Sequence, residues 1–349
     1  MKIRIVFKSI EKGILNFLER ILNIIKEIPG LMGEKPILTA LIFLIIIGFV
    51  VFRITMSAKQ EGKEFTGNII AEGYGVVFDI FVFGILIAFF NWLGEKRRDI
   101  KRWKEEIDDF RLWENEEAKF RIVGNINRLN KAGVYNIDLS SCYLQEAILC
   151  NATLKGAYLW KANLKGAYLA GANLAGANLW KTNLDGSYLG VANLWKAFLE
   201  SASLKKAYLG EADLEGANLK GANLKGANLT SANLTRANLW RAKLKEAILW
   251  KANLEEANLK EAFFFRANLK EINLKGAYLW KANLRKVYLN YANLEGAILN
   301  KADLREAKYL SIGQLSKVKT LFRAKLDPKL KAQVKKNYPH LLEEPKEDK

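Results

Sequence analysis

Residue types that commonly carry out catalysis or bind metals are scarce in this chain of 349 residues. It contains two cysteines, Cys142 and Cys150, and one histidine, His340. A disulfide framework, a zinc cluster and most histidine-based catalysis require more of these residues than the chain has. We therefore expect no catalytic residue, no metal site and no cofactor, and we interpret His340, which follows Pro339, as structural.

Charged residues near apolar segments could act at a membrane. Asp79 lies about one turn inside an apolar stretch, where an ionisable residue is a candidate intramembrane polar site. Alternatively, its carboxylate extends to the outer surface. The basic cluster that follows is a candidate contact for anionic lipid, at about 1 kcal/mol per residue, or else only a topology signal. This cluster comprises Lys96, Arg97, Arg98, Lys101, Arg102 and Lys104.

Two apolar segments, residues 37–52 and 75–93, predict a transmembrane helical hairpin with a short external loop. Because about 20 helical residues cross a bilayer core of roughly 30 Å, both can span it if flanking residues snorkel. The first segment has only 16 residues, so a buried soluble helix is its alternative. Lys and Arg number seven in residues 1–36 but three between the segments, which predicts cytoplasmic N- and C-termini at the plasma (inner) membrane.

The segments on either side of the hairpin also predict helices. Isoleucines recur at helical spacing in residues 1–36, as expected of a cytoplasmic amphipathic helix in the membrane plane. Residues 94–136 combine the basic juxtamembrane cluster with a linking helix that we expect to end near Gly133. Its apolar stripe should rest on the open end of the domain that follows, and consists of Ile100, Trp103, Ile107, Phe110 and Trp113.

A five-residue repeat occupies most of the C-terminal half. Leucine recurs at every fifth position from Leu139 to Leu304, with Phe264 as the one exception among 34 positions, and alanine stands two places earlier in 28 of them. This period cannot form a continuous stripe on an α-helix, because 3.6 residues per turn does not divide five. Residues two apart on a strand face the same side, so we expect alanine and leucine to point inward and the last two residues to form a corner.

A second period, of ten residues, predicts the number of sides. The residue before the leucine is Tyr, Phe or Ile in 10 of 17 units at positions ending in eight, but in 2 of 17 at positions ending in three. An odd number of sides would mix these classes, and two sides are too tight. We therefore predict a four-sided coil with 20 residues per turn, in which stacked side-chain amides hydrogen-bond between turns. The predicted ladder contains Asn173, Asn193, Asn233, Asn253, Asn273 and Asn293, interrupted by Asp213.

Six tryptophans stand directly after the repeated leucine, each followed by a cation. Four of these pairs share one edge of a four-sided coil and are the predicted interaction surface: Trp160 and Lys161, Trp180 and Lys181, Trp240 and Arg241, Trp280 and Lys281. Such pairs suit a protein partner, single-stranded nucleic acid or a lipid headgroup layer. Alternatively, each indole folds along the corner and shields the next turn while its cation stays hydrated.

Units such as ANLKG, ANLAG, ADLEG and ANLTR resemble the A(N/D)LXX signature of the pentapeptide repeat family, over residues 137–306. The resemblance implies a mainly β fold, a right-handed four-sided parallel β-helix. It also implies a binding protein, because the better-understood members bind other macromolecules, including DNA mimics that protect DNA gyrase. DNA mimicry requires an acidic surface, whereas residues 137–306 contain 23 Lys and Arg against 15 Asp and Glu.

The repeat decays after Glu306, and we expect residues 307–349 to form a helical cap and a frayed tail. Ser311 and Gln314 fit a capping box for a short helix through Lys319. A second helix is predicted from Pro328 to about Asn337. A cap is needed because an open turn would expose unpaired backbone groups and favour end-to-end association.

Together, these features predict a non-enzymatic, membrane-anchored scaffold that presents a rigid cytoplasmic β-helical rod for protein–protein interaction. Its expected partners are membrane lipid and unidentified proteins. Nucleic acid is not favoured, and homo-oligomerisation stays open. The alternative function is a subunit or regulator of a membrane transport or channel complex that uses Asp79 in the second span.

Overall fold

The computed structural model describes residues 64–345, with the side chains of Asp79 and of residues 82–345. The chain divides between Asp99 and Ile100 into two compact units. The first predicted span, residues 37–52, and the predicted in-plane helix in residues 1–36 lie outside the described residues. The domain boundaries predicted for that part therefore stay predictions.

Helix α1, Glu64–Phe110, contains the second predicted span, residues 75–93. Within the part of the chain that the structure describes, no helix is both long enough and apolar enough to cross a bilayer. The transmembrane hairpin is thus not supported by the described residues, and anchoring in a membrane stays a prediction.

The repeat winds into a β-helix in which parallel bridges join residues twenty apart. The series runs from Asp138 paired with Tyr158 to Tyr288 paired with Lys308, and every pairing in it is parallel. In most units the bridging residue stands between an inward alanine and an inward leucine, and nearly all of these are completely buried. The predicted period of 20 residues per turn and the four sides are therefore confirmed. We call each turn of twenty residues a coil, and each column of stacked corner pairs an edge.

Nearly every unit repeats the same backbone hydrogen bonds. In the unit around Leu159, its amide donates to the Asn178 carbonyl (2.7 Å), and the Lys161 amide donates to the Trp180 carbonyl (2.9 Å) of the next coil. Within the unit, the Ala162 amide donates to the Leu159 carbonyl (3.0 Å) and closes a turn. The pairing between coils thus satisfies backbone groups that a single isolated coil would expose.

The last residue of each unit adopts a left-handed backbone with positive φ, as the third residue of a type II turn must. Ten of these 34 positions are glycine, but the other 24 carry side chains, including Val191 (φ 55°) and Tyr291 (φ 60°). A non-glycine residue is held in this conformation at a cost of about 1–2 kcal/mol. The hydrogen bonds between coils must therefore offset that cost at most corners.

The backbone amide of the first corner residue has no backbone partner, and the asparagine that precedes the leucine accepts its hydrogen bond. The Asn193 Oδ1 accepts from the Trp195 amide (2.9 Å), and most other asparagines at this position accept in the same way. The predicted ladder between coils is confirmed in part. Asn273 donates to Asn253 (2.9 Å), whereas Asn253 donates to the Thr235 hydroxyl (2.9 Å) and so breaks the column.

Two helices close the N-terminal end of the β-helix. The prediction of one continuous linking helix is wrong, because α1 ends at Phe110 and α2, Glu116–Lys131, begins after Asn115, whose side chain caps it. Arg111, in the break, donates through its guanidinium to the Ser140 carbonyl (2.7 Å), and Asn130, near the end of α2, accepts from the Thr153 amide (2.7 Å). Polar side chains thus occupy backbone groups of the first coil that have no preceding coil to pair with.

The apolar stripe of the linking segment covers the first coil only in part. Ile107 of α1 is buried, as are Ile122, Ile126 and Leu129 of α2, and all four join the hydrophobic core of the β-helix. Trp113 lies in the break between the helices and is 53% exposed. The prediction that the stripe rests on the open end is therefore confirmed for α1 residues and wrong for Trp113.

The C-terminal end is closed by an irregular last coil. Ile298 pairs with Thr320 and Asp303 with Lys325, which are twenty-two residues apart. The two extra residues accommodate helix α3, Ile312–Leu315, which has the predicted capping box but ends before Lys319. Helix α4, Pro328–Asn337, matches its prediction, and a 3-10 helix, Pro339–Leu342, follows it. The repeat thus continues for one more coil than its sequence signature shows.

Exchanging residues at two left-handed corners should change stability in opposite directions. We expect Val191→Gly to raise the free energy of unfolding by about 1 kcal/mol, because valine is strained at positive φ. Gly156→Val should lower it by about 1–2 kcal/mol, since a Cβ there meets no atom within 4 Å and only the backbone is strained. Denaturant unfolding of the full chain measures both, and destabilisation by Val191→Gly would contradict the argument.

The two thiols should differ in reactivity. Cys142 is buried in the first coil, and burial raises the pKa of its thiol to about 12, whereas Cys150 is exposed. Because the thiolate is the nucleophile, we expect alkylation at pH 8 to modify Cys150 in the native chain and Cys142 only after unfolding. Mass spectrometry of the alkylated peptides checks this. Equal labelling of both residues without denaturant would mean that the first coil is open.

Candidate interaction surfaces

The four predicted tryptophan–cation pairs lie on one edge, as the register requires. We call the column of corner pairs from residues 160–161 to residues 300–301 the tryptophan edge. Trp160 and Trp180 are 37% and 36% exposed, and Trp240 and Trp280 are half-buried. Each indole ring has its own cation beside it, at 4.2 Å between the ring centre and Nζ for Trp180 and Lys181.

Cations also connect successive tryptophans along this edge. The Lys260 Nζ lies 4.4 Å from the centre of the Trp280 ring and 5.8 Å from that of Trp240. Arg241 and Lys281 contact the same two rings from the following corner positions, at 5.0 and 4.2 Å. The ring faces are therefore occupied by the chain's own cations, while part of each indole stays open to solvent.

The tryptophan edge has a further aromatic–cation pair that sequence reasoning missed. The Lys301 amide donates to the Phe322 carbonyl (2.8 Å), which stacks Phe322 on this edge, and the Arg323 guanidinium lies 4.9 Å from the Phe322 ring. Because the last coil is two residues longer, this pair falls outside the five-residue spacing. The only sequence signal for it is the aromatic–cation dipeptide itself.

The two tryptophans on other edges show the same pairing. Lys196 lies 4.3 Å from the Trp195 ring, and Lys251 lies 4.8 Å from the Trp250 ring. The Trp250 indole also donates to the Glu271 carboxylate (3.3 Å), and this hydrogen bond lowers the pKa of Glu271. Stacking of a cation on its neighbouring indole is thus a property of the corner and not of one edge.

A second candidate surface lies on the face whose outer residues occupy positions 148, 168, 188 and 208. Ile148, Tyr168, Tyr188 and Tyr208 are between 45% and 72% exposed on consecutive coils, and we call them the tyrosine face. The rings of Tyr168 and Tyr188 are stacked, with centres 5.0 Å apart and planes 3° from parallel. The enrichment of Tyr, Phe and Ile at positions ending in eight is the sequence signal for this face.

Glycines shape one end of the tyrosine face. A Cβ at Gly190 would lie 2.8 Å from a Tyr208 ring carbon, and one at Gly210 would lie 2.6 Å from the Tyr208 hydroxyl. Tyr208 therefore lies across the adjacent corners instead of stacking on Tyr188. Together with exposed Val191 beside Gly190, it widens the apolar surface at this end.

The remaining predicted site residues are dispersed. Asp79 lies in α1 with an exposed side chain, and its role stays a prediction. The basic cluster also lies in α1, where Lys96 is half-buried with its Nζ 5.5 Å from the Trp92 ring and Lys101 pairs with Glu105 (3.5 Å). His340 packs edge-on against Tyr338. Across residues 64–345, no three His, Cys, Asp or Glu side chains form a metal-binding group.

Comparison with known proteins identifies the repeat. The family described as Pentapeptide repeats matches in eight copies, over residues 135–169, 154–190, 189–221, 222–260 and 267–305. No curated protein matches the chain.

Several solved structures are similar to this chain, including the three that follow. HetL, a pentapeptide repeat protein involved in heterocyst differentiation regulation from the cyanobacterium Nostoc sp. strain PCC 7120, is 33% identical, with 58% of this chain and 93% of HetL covered and a TM-score of 0.37. Another pentapeptide repeat protein from Nostoc PCC 7120 is 30% identical, with 34% and 84% covered and a TM-score of 0.16. Trypsin-treated QnrB1, a plasmid-mediated fluoroquinolone resistance protein, is 16% identical, with 52% and 93% covered and a TM-score of 0.36.

The family match covers nearly all of the repeat, and the identity to HetL extends over nearly all of that protein. Pentapeptide repeat proteins fold as a right-handed quadrilateral β-helix, and the four sides and twenty residues per turn of this chain agree with that fold. This chain therefore belongs to the pentapeptide repeat family.

Proposed function

We propose that the chain is a non-enzymatic scaffold, anchored in the plasma (inner) membrane by two helices, that presents its β-helix to protein partners on the cytoplasmic side. The two apolar segments and the distribution of Lys and Arg around them support the anchoring and its orientation. The transport or channel alternative depends on Asp79 alone. The scaffold is therefore the function that we put forward.

The tyrosine face is the observation that carries the protein-binding part of the proposal. Ile148, Tyr168, Tyr188 and Tyr208 expose apolar area on four consecutive coils. Tyrosine combines a large apolar ring with a polar hydroxyl and loses little conformational freedom on binding, so it is common at protein interfaces. A contiguous exposed patch of this kind is typical of an interaction site.

The rigidity of the coil supports the same role. Each unit is held by hydrogen bonds of 2.6–3.3 Å to its neighbours, so the stacked tyrosines occupy fixed positions before any partner arrives. A pre-organised surface reduces the entropy that binding must remove. The β-helix thus suits the display of a surface more than a reaction that needs a deep, closing site.

Photo-crosslinking from defined positions tests the scaffold. We expect a benzophenone amino acid at Tyr188 of the full chain, in intact cells, to capture one recurrent protein. The same group at Asn253, on a different face, should not capture it. Mass spectrometry identifies the captured chain. Capture of lipid only, or of the same proteins from both positions, would contradict a specific protein-binding face.

Paired substitutions separate binding from folding. In the chain that carries the benzophenone amino acid at Tyr188, Tyr168→Ser with Tyr208→Ser should reduce capture of that partner by about tenfold, since interface tyrosines often contribute more than 1 kcal/mol each. Tyr278→Ser is the control, because it removes an exposed tyrosine from another face. A similar loss in the control, or an altered melting temperature in the double variant, would indicate a general effect on the fold.

The proposed topology has a test that uses a native residue. Cys150 is exposed on the β-helix, so a membrane-impermeant maleimide should label it only after sealed cells are permeabilised. A Cys150→Ser variant provides the background signal. Labelling of intact cells would place the β-helix outside, and extraction of the chain from membranes by alkaline carbonate would overturn the anchoring.

A further inference from the structure

The four edges of the β-helix differ sharply in charge. On the tryptophan edge, seven Lys and Arg face two Asp and Glu. The column of corner pairs from residues 145–146 to 305–306, which we call the lysine edge, carries nine Lys and Arg against four Asp and Glu. These two edges flank one face, whose outer residues run from Tyr143 to Asp303 in steps of twenty. We call this face with its two edges the basic side.

The other two edges carry no net charge. The corner pairs from residues 150–151 to 290–291 contain two basic and two acidic residues, and those from 155–156 to 295–296 contain four of each. The face between these edges holds the asparagine ladder and Asp213. The entire excess of Lys and Arg over Asp and Glu in residues 137–306 therefore lies on one side of the β-helix.

Four of the six acidic residues on these two edges are paired with cations of adjacent coils. Lys205 contacts Asp185 at 3.2 Å, Lys220 contacts Glu200 at 3.2 Å, and the Arg241 guanidinium contacts Glu261 at 2.7 Å. These pairs neutralise the few carboxylates, so the cations in excess determine the field at this surface. Exposed members of the excess include Lys165, Lys181 and Lys225, which lie on different coils.

We propose that the basic side docks along its length on an anionic lipid leaflet. The cations are spread over all eight coils and do not converge on one pocket, which matches a continuous layer of headgroups better than a single ligand. The indoles of the tryptophan edge, partly exposed and flanked by cations, have the amphipathic character of residues at the membrane–water interface. This inference goes beyond the proposed scaffold and does not depend on the two predicted spans.

Two observations disfavour other polyanionic partners. Single-stranded nucleic acid binds by stacking bases on open aromatic faces, but the chain's own cations occupy the faces of Trp180, Trp240 and Trp280. Protein interfaces are depleted in lysine, whereas lysine dominates the edges of the basic side. The tyrosine face adjoins the lysine edge. Docking of the β-helix through its basic side would therefore leave the tyrosine face accessible.

Lysine footprinting of the full chain tests the docking. The chain is incubated with nanodiscs of phosphatidylcholine alone or of phosphatidylcholine and phosphatidylglycerol in equal amounts, and lysines are acetylated and quantified by mass spectrometry. We expect the anionic lipid to reduce labelling of Lys165, Lys181 and Lys225 by about threefold or more, and high salt to reverse this. Lys155, Lys251 and Lys275, on the neutral edges, serve as internal controls and should not change.

Matched charge reversals complete the test. Lys165→Glu, Lys181→Glu and Lys225→Glu together should abolish the protection of Lys161 and Lys281 by anionic lipid. The combination of Lys155→Glu, Lys251→Glu and Lys275→Glu changes the net charge equally at equivalent corner positions and should preserve it. Equal labelling in both kinds of nanodisc would overturn the proposal, as would protection of both lysine sets.

The outcome is independent of the crosslinking from Tyr188. Failure of the footprint alone would leave the scaffold intact, and failure of the crosslinking alone would leave lipid docking intact. If single-stranded RNA or an acidic protein protected the basic side in phosphatidylcholine nanodiscs while phosphatidylglycerol did not, the surface would belong to that partner instead.

Discussion

The structure depends on one recurring constraint, the hydrogen-bonded turn that brings the chain round a corner every five residues. Each turn places the last residue of its unit in the left-handed region, and the next strand-like trio then pairs with residues twenty positions away. The backbone of the corner is the same whether glycine, lysine or glutamate occupies it. The residues at the corners can therefore vary independently of those in the interior of the β-helix. Alanine and leucine fill the interior, and the corner residues are free to carry charge or aromatic rings.

The sequence was sufficient to predict the regular part of the fold. Leucine at a fixed spacing defined the inward column, and the ten-residue period distinguished four sides from three or five. The left-handed corners could not be predicted, because 24 of them are occupied by residues that disfavour positive φ, such as Val191. Only the cooperative pairing of neighbouring coils stabilises them, and that pairing is not a local property of the residue.

The departures from regularity have local causes that the repeat does not encode. The helix break arises where Asn115 caps α2 and Arg111 extends to the first coil, which requires knowledge of the coil's open end. The last coil gains two residues to fit α3, so Phe322 and Arg323 join the tryptophan edge outside the spacing. Among the predicted site residues, the four tryptophan pairs lie on one edge as the register required, and their role in binding stays a prediction. The basic side depends on which edge each charge occupies, and the net charge of the repeat does not reveal it.

The fixed number of four units per turn also constrains how the length of the β-helix can change. Because four units complete a revolution, gaining or losing twenty residues would extend or shorten the structure while every surface kept its direction. Insertion or loss of a single unit would instead rotate everything beyond it by a quarter turn, and would bring neutral corners into line with positive ones. Natural length variation that preserves the surfaces should therefore occur in multiples of four units.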